Sequence, residues 1–210
     1  VLLPADVALE TRGVVVEGIR RFPLARPLGI LRIFKQRFKT LDHANKEIYH
    51  FRIIQKFLPK DLYADSQEFL VAYFNAEQYD IVLCGLQEYV DGQTLDPWRE
   101  DMPGRLKAYL QNIMGDDRCL PGVLQNAEIR VQSFVNHIKT MVQYAGYIPD
   151  LAGIGNIRLT ADGAVKLVDI NNISRIRFDR RIQLDDKGYP VCDKSIEALS
   201  RIEAHFSGKT

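Results

Sequence analysis

The sequence predicts an α+β fold with an antiparallel N-terminal sheet and one helix, followed by a mostly helical C-terminal part. Runs rich in branched and aromatic apolar residues, interrupted by Gly and Pro, indicate strands within the first 90 residues. An apolar stripe at helical spacing over residues 127–145 predicts the strongest helix of the chain. Two short alternating segments on either side of residues 161–164 predict a β-hairpin after that helix.

The charge of the chain is almost balanced, because its 210 residues include 28 Lys and Arg against 27 Asp and Glu, a net charge of +1. A nearly neutral chain has no overall field that would draw it to nucleic acid or to an anionic membrane. The sequence also contains no apolar run long enough to span a bilayer. We therefore expect neither a nucleic-acid partner nor a membrane span, and a protein partner stays open.

The three cysteines, Cys84, Cys119 and Cys192, are odd in number and too scattered for a zinc site. This usage argues against a disulfide framework and favours a reducing, cytoplasmic location. The chain begins at Val1 without a methionine, so a missing native N-terminal segment is one expectation.

Strands are predicted through residues 1–33 and again over 68–74 and 79–89, and together they indicate a five-stranded antiparallel sheet. Gly13 and Gly18 flank part of the first region, but they do not form a GxGxxG phosphate loop. Two ordinary turn glycines are the favoured interpretation, and no phosphate-binding loop is predicted there.

A helix is predicted over Thr40–Leu58, with a capping residue at its start and a proline after its end. Glu47 falls in the middle of the apolar stripe of this helix, where an unpaired carboxylate would be costly to bury. The preceding strand offers Arg32 and, just beyond, Lys35 as partners. The alternative is that Glu47 merely borders the stripe and is solvated.

Three later helices are predicted over Pro103–Met114, Ala127–Ala145 and Ser195–Phe206 from apolar residues at helical spacing. His137 lies on the flank of the second stripe, and no HExxH or comparable pairing surrounds it. We interpret His137 as a core-edge residue with a hydrogen-bond partner rather than as a ligand.

Four arginines follow the hairpin region, namely Arg175, Arg177, Arg180 and Arg181. Such a basic run most often forms a solvated surface. A patch for an anionic substrate or a partner is the alternative interpretation.

Three polar residues frame the predicted hairpin: Asp150 and Asn156 precede it and Asp169 follows it. Because paired strands bring their outer ends together, Asn156 and Asp169 are expected side by side. An Asn carbonyl and an Asp carboxylate are hard oxygen ligands that suit Mg²⁺, which binds phosphate while using only one or two such groups. The pattern therefore predicts a nucleotide-phosphate site.

The order Asp150, Asn156, Asp169 resembles the catalytic and metal-binding loops of the protein-kinase-like superfamily, including its small bacterial members that phosphorylate sugars, choline or lipopolysaccharide. The resemblance implies that Asp150 is the proton acceptor and that Asn156 and Asp169 bind the metal of an ATP–Mg²⁺ complex. Ile148-Pro149-Asp150 replaces the family's His-x-Asp, and Asp150 precedes Asn156 by six positions instead of five. Asp169-Ile170-Asn171 replaces Asp-Phe-Gly.

The same resemblance implies a two-lobed fold, with residues 1–90 as a sheet-plus-helix lobe and residues 91–210 as a reduced, mostly helical lobe. It assigns phosphate binding to Arg32 first and Lys35 second, and it pairs the basic residue with Glu47 on the following helix. Backbone groups around Glu88 and Val90 would bind adenine in a hinge near Tyr89–Gly92.

Two classes of function follow from these expectations. In the first, the chain is an ATP- and Mg²⁺-dependent phosphotransferase that acts on an unidentified hydroxyl-bearing substrate. In the second, it is a pseudokinase or a regulatory module that binds nucleotide or a partner without catalysis. The absent glycine-rich loop and the altered Asp150 and Asp169 motifs favour the second, whereas the ordered set of polar residues favours the first.

Overall fold

The computed structural model describes residues 1–22, 24–75, 78–99, 105–115, 121–176 and 191–206. Within them the predicted α+β class is confirmed, with five α-helices and sheets whose strands pair antiparallel. None of the helices in this part of the chain is both long enough and apolar enough to span a membrane.

The helices are α1 (Pro4–Arg12), α2 (Leu41–Phe57), α3 (Arg105–Met114), α4 (Pro121–Ala145) and α5 (Val191–Phe206). The strands are β1 (Val14–Val16), β2 (Ile19–Arg21), β3 (Gly29–Phe38), β4 (Ser66–Asn75), β5 (Gln78–Glu88), β6 (Gln93–Thr94), β7 (Tyr147–Pro149), β8 (Ile157–Leu159), β9 (Val165–Leu167) and β10 (Ile173–Arg175).

The chain divides into two compact units. The first contains Val1–Ala44 and Asp65–Tyr89, and the second contains Asn45–Ala64 and Val90–Thr210. Most of α2 therefore belongs to the second unit.

The main sheet of the first unit has three strands in the order β3-β5-β4, with β5 in the centre. The predicted hairpin of β4 and β5 is confirmed by their continuous antiparallel register. The prediction of a five-stranded sheet is wrong, because β1 and β2 pair with each other in a separate sheet. Glu17 and Gly18, both with positive φ, form the tight turn that folds these two short strands onto one another.

The prediction of strands through residues 1–33 also missed α1. This helix begins with Pro4 in its first turn and ends at Gly13, whose φ is 70°. None of its residues is buried. A helix without a buried face lacks the apolar stripe by which helices are recognised in a sequence.

The predicted helix after β3 is confirmed as α2. Thr40 caps it, since the backbone N–H of His43 donates to Thr40 Oγ1 at 3.4 Å. The apolar residues Phe51 and Ile54 are buried on its inner side. Pro59 follows two residues after the end of the helix at Phe57 and prevents its continuation.

The core of the second unit is one continuous apolar cluster around α4. The fully buried members on α4 are Ala127, Val131, Phe134, Val135, Ile138 and Met141. The helices α3 and α5 and the two small sheets β6-β8-β9 and β10-β7 pack on this cluster. Gly115 and Gly146, with φ of 64° and 68°, end α3 and α4 as predicted.

Candidate functional site

The predicted hairpin is formed by β8 and β9, with Ile157 opposite Leu167 and Leu159 opposite Val165. Beyond the last paired residues, the backbone N–H of Val168 donates to the carbonyl of Asn156 at 2.8 Å. Asn156 and Asp169 therefore lie at the same open end of the hairpin. Their role as metal ligands stays a prediction.

Asp150 lies directly after β7, which pairs with β10. Its backbone N–H donates to the Asn172 carbonyl at 2.8 Å. Its Oδ1 accepts the backbone N–H groups of Ala152 at 3.0 Å and Gly153 at 3.1 Å. Its Oδ2 accepts the Asn172 side-chain amide at 3.1 Å. Both carboxylate oxygens of Asp150 thus shape the loop, which is an ordinary structural role for Asp in turns.

Asn156 is tied to the same loop, because its Nδ2 donates to the Asp150 carbonyl at 2.8 Å. Gly153 allows this arrangement. A Cβ at Gly153 would lie 2.4 Å from Asn156 Nδ2, closer than two non-bonded heavy atoms can approach. The loop from Asp150 to Asn156 is therefore closed by polar contacts, and any side chain at position 153 would force the Asn156 side chain to move.

The resemblance assigns Mg²⁺ to the side-chain oxygens of Asn156 and Asp169 at the hairpin end. Because Asn156 uses its amide nitrogen in the bond to Asp150, its Oδ1 is the atom suited to a cation. The Asp169 carboxylate would be the second hard oxygen ligand. Among the described residues no group of three or more His, Cys, Asp or Glu could hold a metal ion. Two such oxygens would suit an ion that retains waters and binds phosphate, and this assignment stays a prediction.

The loop rests on the buried core through two residues that the sequence analysis did not identify. Ser195 of α5 is buried, and its Oγ accepts the backbone N–H of Leu151 at 3.3 Å. The indole of Trp98 donates to the Ala152 carbonyl at 2.9 Å. No sequence motif could have revealed these contacts, since Ser195 and Leu151 are 44 positions apart.

The Trp98 ring is itself held by α5. The ammonium of Lys194 lies 5.1 Å from the ring centroid and the guanidinium of Arg201 lies 5.0 Å from it. Such cation–ring contacts contribute modest stabilisation each. Helix α5 therefore braces the loop that carries Asp150.

The Asp169-Ile170-Asn171 segment combines one buried apolar residue with an unusual amide. Ile170 is fully buried in the core. Both polar side-chain atoms of Asn171 are buried and have no hydrogen-bond partner among the described residues. Buried amides normally have partners, so Asn171 is a polar residue adjacent to the candidate site whose hydrogen bonds are unaccounted for.

The residues predicted to bind phosphate lie on β3 in the first unit. Arg32 Nη2 donates to Glu68 Oε1 at 2.7 Å and to Ser66 Oγ at 3.2 Å. Lys35 is exposed. Glu47 lies in the second unit, where its side chain is 35% exposed and 3.4 Å from His50 Nδ1. The pairing of Arg32 with Glu47 stays a prediction.

The residues assigned to the hinge end the strand β5 and begin the segment after it. The backbone N–H of Glu88 donates to the Asp65 carbonyl at 2.8 Å, and its Oε2 accepts the Asp65 N–H at 3.2 Å. Val90 is buried. Adenine binding by these residues stays a prediction.

Two remaining expectations concern His137 and the basic run. His137 Nδ1 makes a hydrogen bond with the Phe57 carbonyl at 2.9 Å, so this histidine is a partnered residue at the edge of the core. Arg175 is exposed on β10. The other members of the basic run, at positions 177, 180 and 181, lie outside the described residues.

In comparisons with known proteins, no family model matches the chain and no curated protein is significantly similar to it in sequence.

Proposed function

We propose that this chain is an ATP- and Mg²⁺-dependent phosphotransferase with a two-lobed, protein-kinase-like fold that acts on a hydroxyl-bearing acceptor. The observation that carries the proposal is the closed loop and hairpin, in which Asn156 bonds to the Asp150 backbone and shares the hairpin end with Asp169. These residues follow one another in the order that phosphoryl transfer by kinase-like proteins uses.

The chemistry of each side chain suggests its role in the proposed reaction. Asn156 and Asp169 would hold Mg²⁺, which neutralises negative charge on the phosphates when it is bound. Arg32 would bind phosphate oxygens, for which a guanidinium is well suited. Asp150 would orient the acceptor hydroxyl or accept its proton. Catalysis would come mainly from positioning and charge neutralisation.

A second candidate function is nucleotide or partner binding without catalysis. It is favoured by the hydrogen bonds of Asp150, whose two carboxylate oxygens accept from Ala152, Gly153 and Asn172. A catalytic base must also reach the proton of its substrate. The loop bonds of Asp150 support a structural role that needs no substrate.

The first test is a thermal shift with ATP and Mg²⁺. A nucleotide present at about 100 times its Kd should add roughly 2.7 kcal/mol to the free energy of unfolding. Asp169→Asn should abolish the Mg²⁺-dependent part of the shift, because a neutral amide binds Mg²⁺ less strongly than a carboxylate. No shift of the parent chain at millimolar ATP would reject the phosphotransferase.

The second test separates the two candidate functions. Asp150→Asn should leave ATP affinity nearly unchanged and lower ATP turnover, because the acceptor-orienting group acts on the hydroxyl and not on the metal. The retained Oδ1 can still accept the two loop N–H groups, so the variant is expected to fold. If binding and turnover both stay at the level of the parent chain, Asp150 is a structural residue and not the catalytic base.

A further inference from the structure

A polar cluster crosses the central strand of the sheet in the first unit. Arg32 on β3 is opposite Gly85 on β5, and Gly85 is opposite Glu68 on β4. Because residues in register on neighbouring antiparallel strands project to the same face, the two charged side chains lie on one side of the sheet. The side chains of Arg32 and Glu68 meet above Gly85, which has no side chain.

The contacts within the cluster form a closed triangle. Glu68 Oε1 accepts from Arg32 Nη2 at 2.7 Å and from the hydroxyl of Ser66 at 2.8 Å. Ser66 Oγ in turn accepts from Arg32 Nη2 at 3.2 Å. The guanidinium carbon also lies 5.5 Å from the centroid of the Phe34 ring. Arg32 is therefore fixed in direction by a carboxylate, a hydroxyl and an aromatic ring.

Gly85 makes room for the carboxylate. A Cβ at position 85 would lie 2.6 Å from Glu68 Oε2, 2.9 Å from Oε1 and 3.0 Å from Cδ. Gly in the centre of a strand is unfavourable and commonly marks a close approach of another group. The glycine here is explained by the ion pair that passes over it.

The Arg32–Glu68 pair is less exposed to water than an ion pair on the protein surface. The side chain of Glu68 is 3% exposed and that of Arg32 is 19% exposed. Glu68 Oε2 is buried and has no hydrogen-bond partner among the described residues. A buried charge pair is retained at a desolvation cost, which makes a role beyond stability a reasonable hypothesis for this pair.

We propose that Glu68 is the positioning residue for Arg32, holding its guanidinium in the direction needed to bind nucleotide phosphate. This inference rests on the proposed function, since phosphate binding by Arg32 belongs to it. Ser66 and Gly85 support the same arrangement, one by a hydrogen bond and the other by leaving space. In this proposal the acid that positions the basic residue is on the same sheet, in place of the Glu47 of α2 that the resemblance implies.

The test compares Glu68→Gln with the parent chain by titration with ATP, ADP and adenosine in the presence of Mg²⁺. Loss of a charge-assisted hydrogen bond that orients Arg32 should weaken ATP and ADP binding about ten-fold or more. Adenosine has no phosphate, so its affinity should not change. A merely structural loss would weaken all three ligands to the same extent.

Asp80→Asn is the matched control, because Asp80 is also a buried carboxylate of this sheet and forms an ion pair, 2.5 Å from Lys39 Nζ. It should lower the melting temperature without changing the affinity for any of the three ligands. All variants are compared at a temperature at which circular dichroism shows them folded.

A double-mutant cycle with Arg32→Met tests whether Glu68 affects ATP affinity through Arg32. If Glu68 acts through Arg32, Glu68→Gln should cause no further loss of ATP affinity in the Arg32→Met background. Additive losses would overturn the proposal. So would unchanged or tighter ATP binding by Glu68→Gln alone.

Glu47→Gln distinguishes this inference from the sequence-based pairing. A phosphate-dependent loss for Glu47→Gln with none for Glu68→Gln would assign the positioning role to Glu47. If the parent chain binds no nucleotide, both this inference and the proposed function are rejected. If the parent chain binds ATP and Glu68→Gln binds it equally well, only this inference is rejected.

Discussion

The two units of the chain hold their polar residues in different ways. In the first unit, Arg32 and Glu68 are held by side-chain contacts with each other and with Ser66, on a three-stranded sheet whose buried apolar residues are few. In the second unit, Asp150 and Asn156 are fixed by backbone hydrogen bonds on a loop that rests on a continuous core. The buried apolar cluster lies within the second unit.

This difference indicates which changes each site should tolerate. A site held by an ion pair depends on the two charges and on the space between them. A site held by backbone bonds above a core depends on the packing beneath it, because interiors are close-packed and transmit small displacements. The following predictions compare the two units, beginning with the largest effect.

Phe134→Ala should destabilise the second unit by about 3–5 kcal/mol, because Phe134 is fully buried in the core of α4. Phe69→Ala in the first unit should cost below about 1 kcal/mol, since Phe69 is 40% exposed. Urea unfolding is followed by circular dichroism, which reports on both units, and by fluorescence of Trp98, the only tryptophan, which reports on the second unit. Equal losses for both variants would contradict the difference between the units.

Gly153→Ala should cost about 1–3 kcal/mol, because the added methyl group would collide with the Asn156 side chain. Gly122→Ala is the matched control. Gly122 lies in the first turn of α4, and no atom of a described residue lies within 4 Å of the position that a methyl group would take there. Alanine at this position should therefore be neutral or stabilising by up to about 1 kcal/mol. The measurement is urea unfolding of the two variants, and destabilisation of both would argue against a specific collision.

Ser195→Ala should cost about 1–2 kcal/mol, because it leaves the N–H of Leu151 buried without its partner. Ser200→Ala provides the control, since the exposed Ser200 hydroxyl donates within its own helix, to the Ile196 carbonyl. Thermal unfolding of both variants distinguishes the loss of the buried Ser195–Leu151 hydrogen bond from the loss of a hydroxyl on the exposed side of the helix. Hydrogen exchange at Leu151 should rise in the first variant and stay unchanged in the second.

Asp162→Asn should have the smallest effect, a small destabilisation at neutral pH that is lost at low pH. A hydrogen bond from the Thr160 hydroxyl lowers the pKa of Asp162, and Arg130 lowers it further. Because the folded pKa is lower than the unfolded one, the stabilisation is present above the usual carboxylate pKa of about 3.9. It is lost as the pH falls through the folded value. The difference in unfolding free energy between parent and variant should therefore disappear in strong acid.

The parts of the fold that the sequence predicted are those with strong local patterns. The helices α2, α4 and α5 carry apolar stripes, and the β8–β9 hairpin alternates around a turn, so local residues decide their structure. The short helix α1 has no buried face and was missed. The separate pairing of β1 and β2 was also missed, because sheet order is decided by contacts that a local pattern does not contain.

Only those parts of the candidate site whose residues lie close together in the sequence could be predicted. Asp150, Asn156 and Asp169 lie within one 20-residue stretch, and the hairpin alone determines which of them share an end. The contact of Arg32 with Glu68 spans 36 positions and depends on the register of two strand pairs. A slip of one residue in either pair would turn one of the side chains to the opposite face.

Gly85 has a consequence for evolution within this fold. A relative that has any larger residue at the position of Gly85 cannot keep a glutamate at the position of Glu68 in the same rotamer, because the two would overlap. The two positions should therefore vary together across descendants of the same ancestor, glycine with glutamate, and a larger residue with a smaller or uncharged one. Such paired substitution would be a signature for recognising distant relatives of this chain.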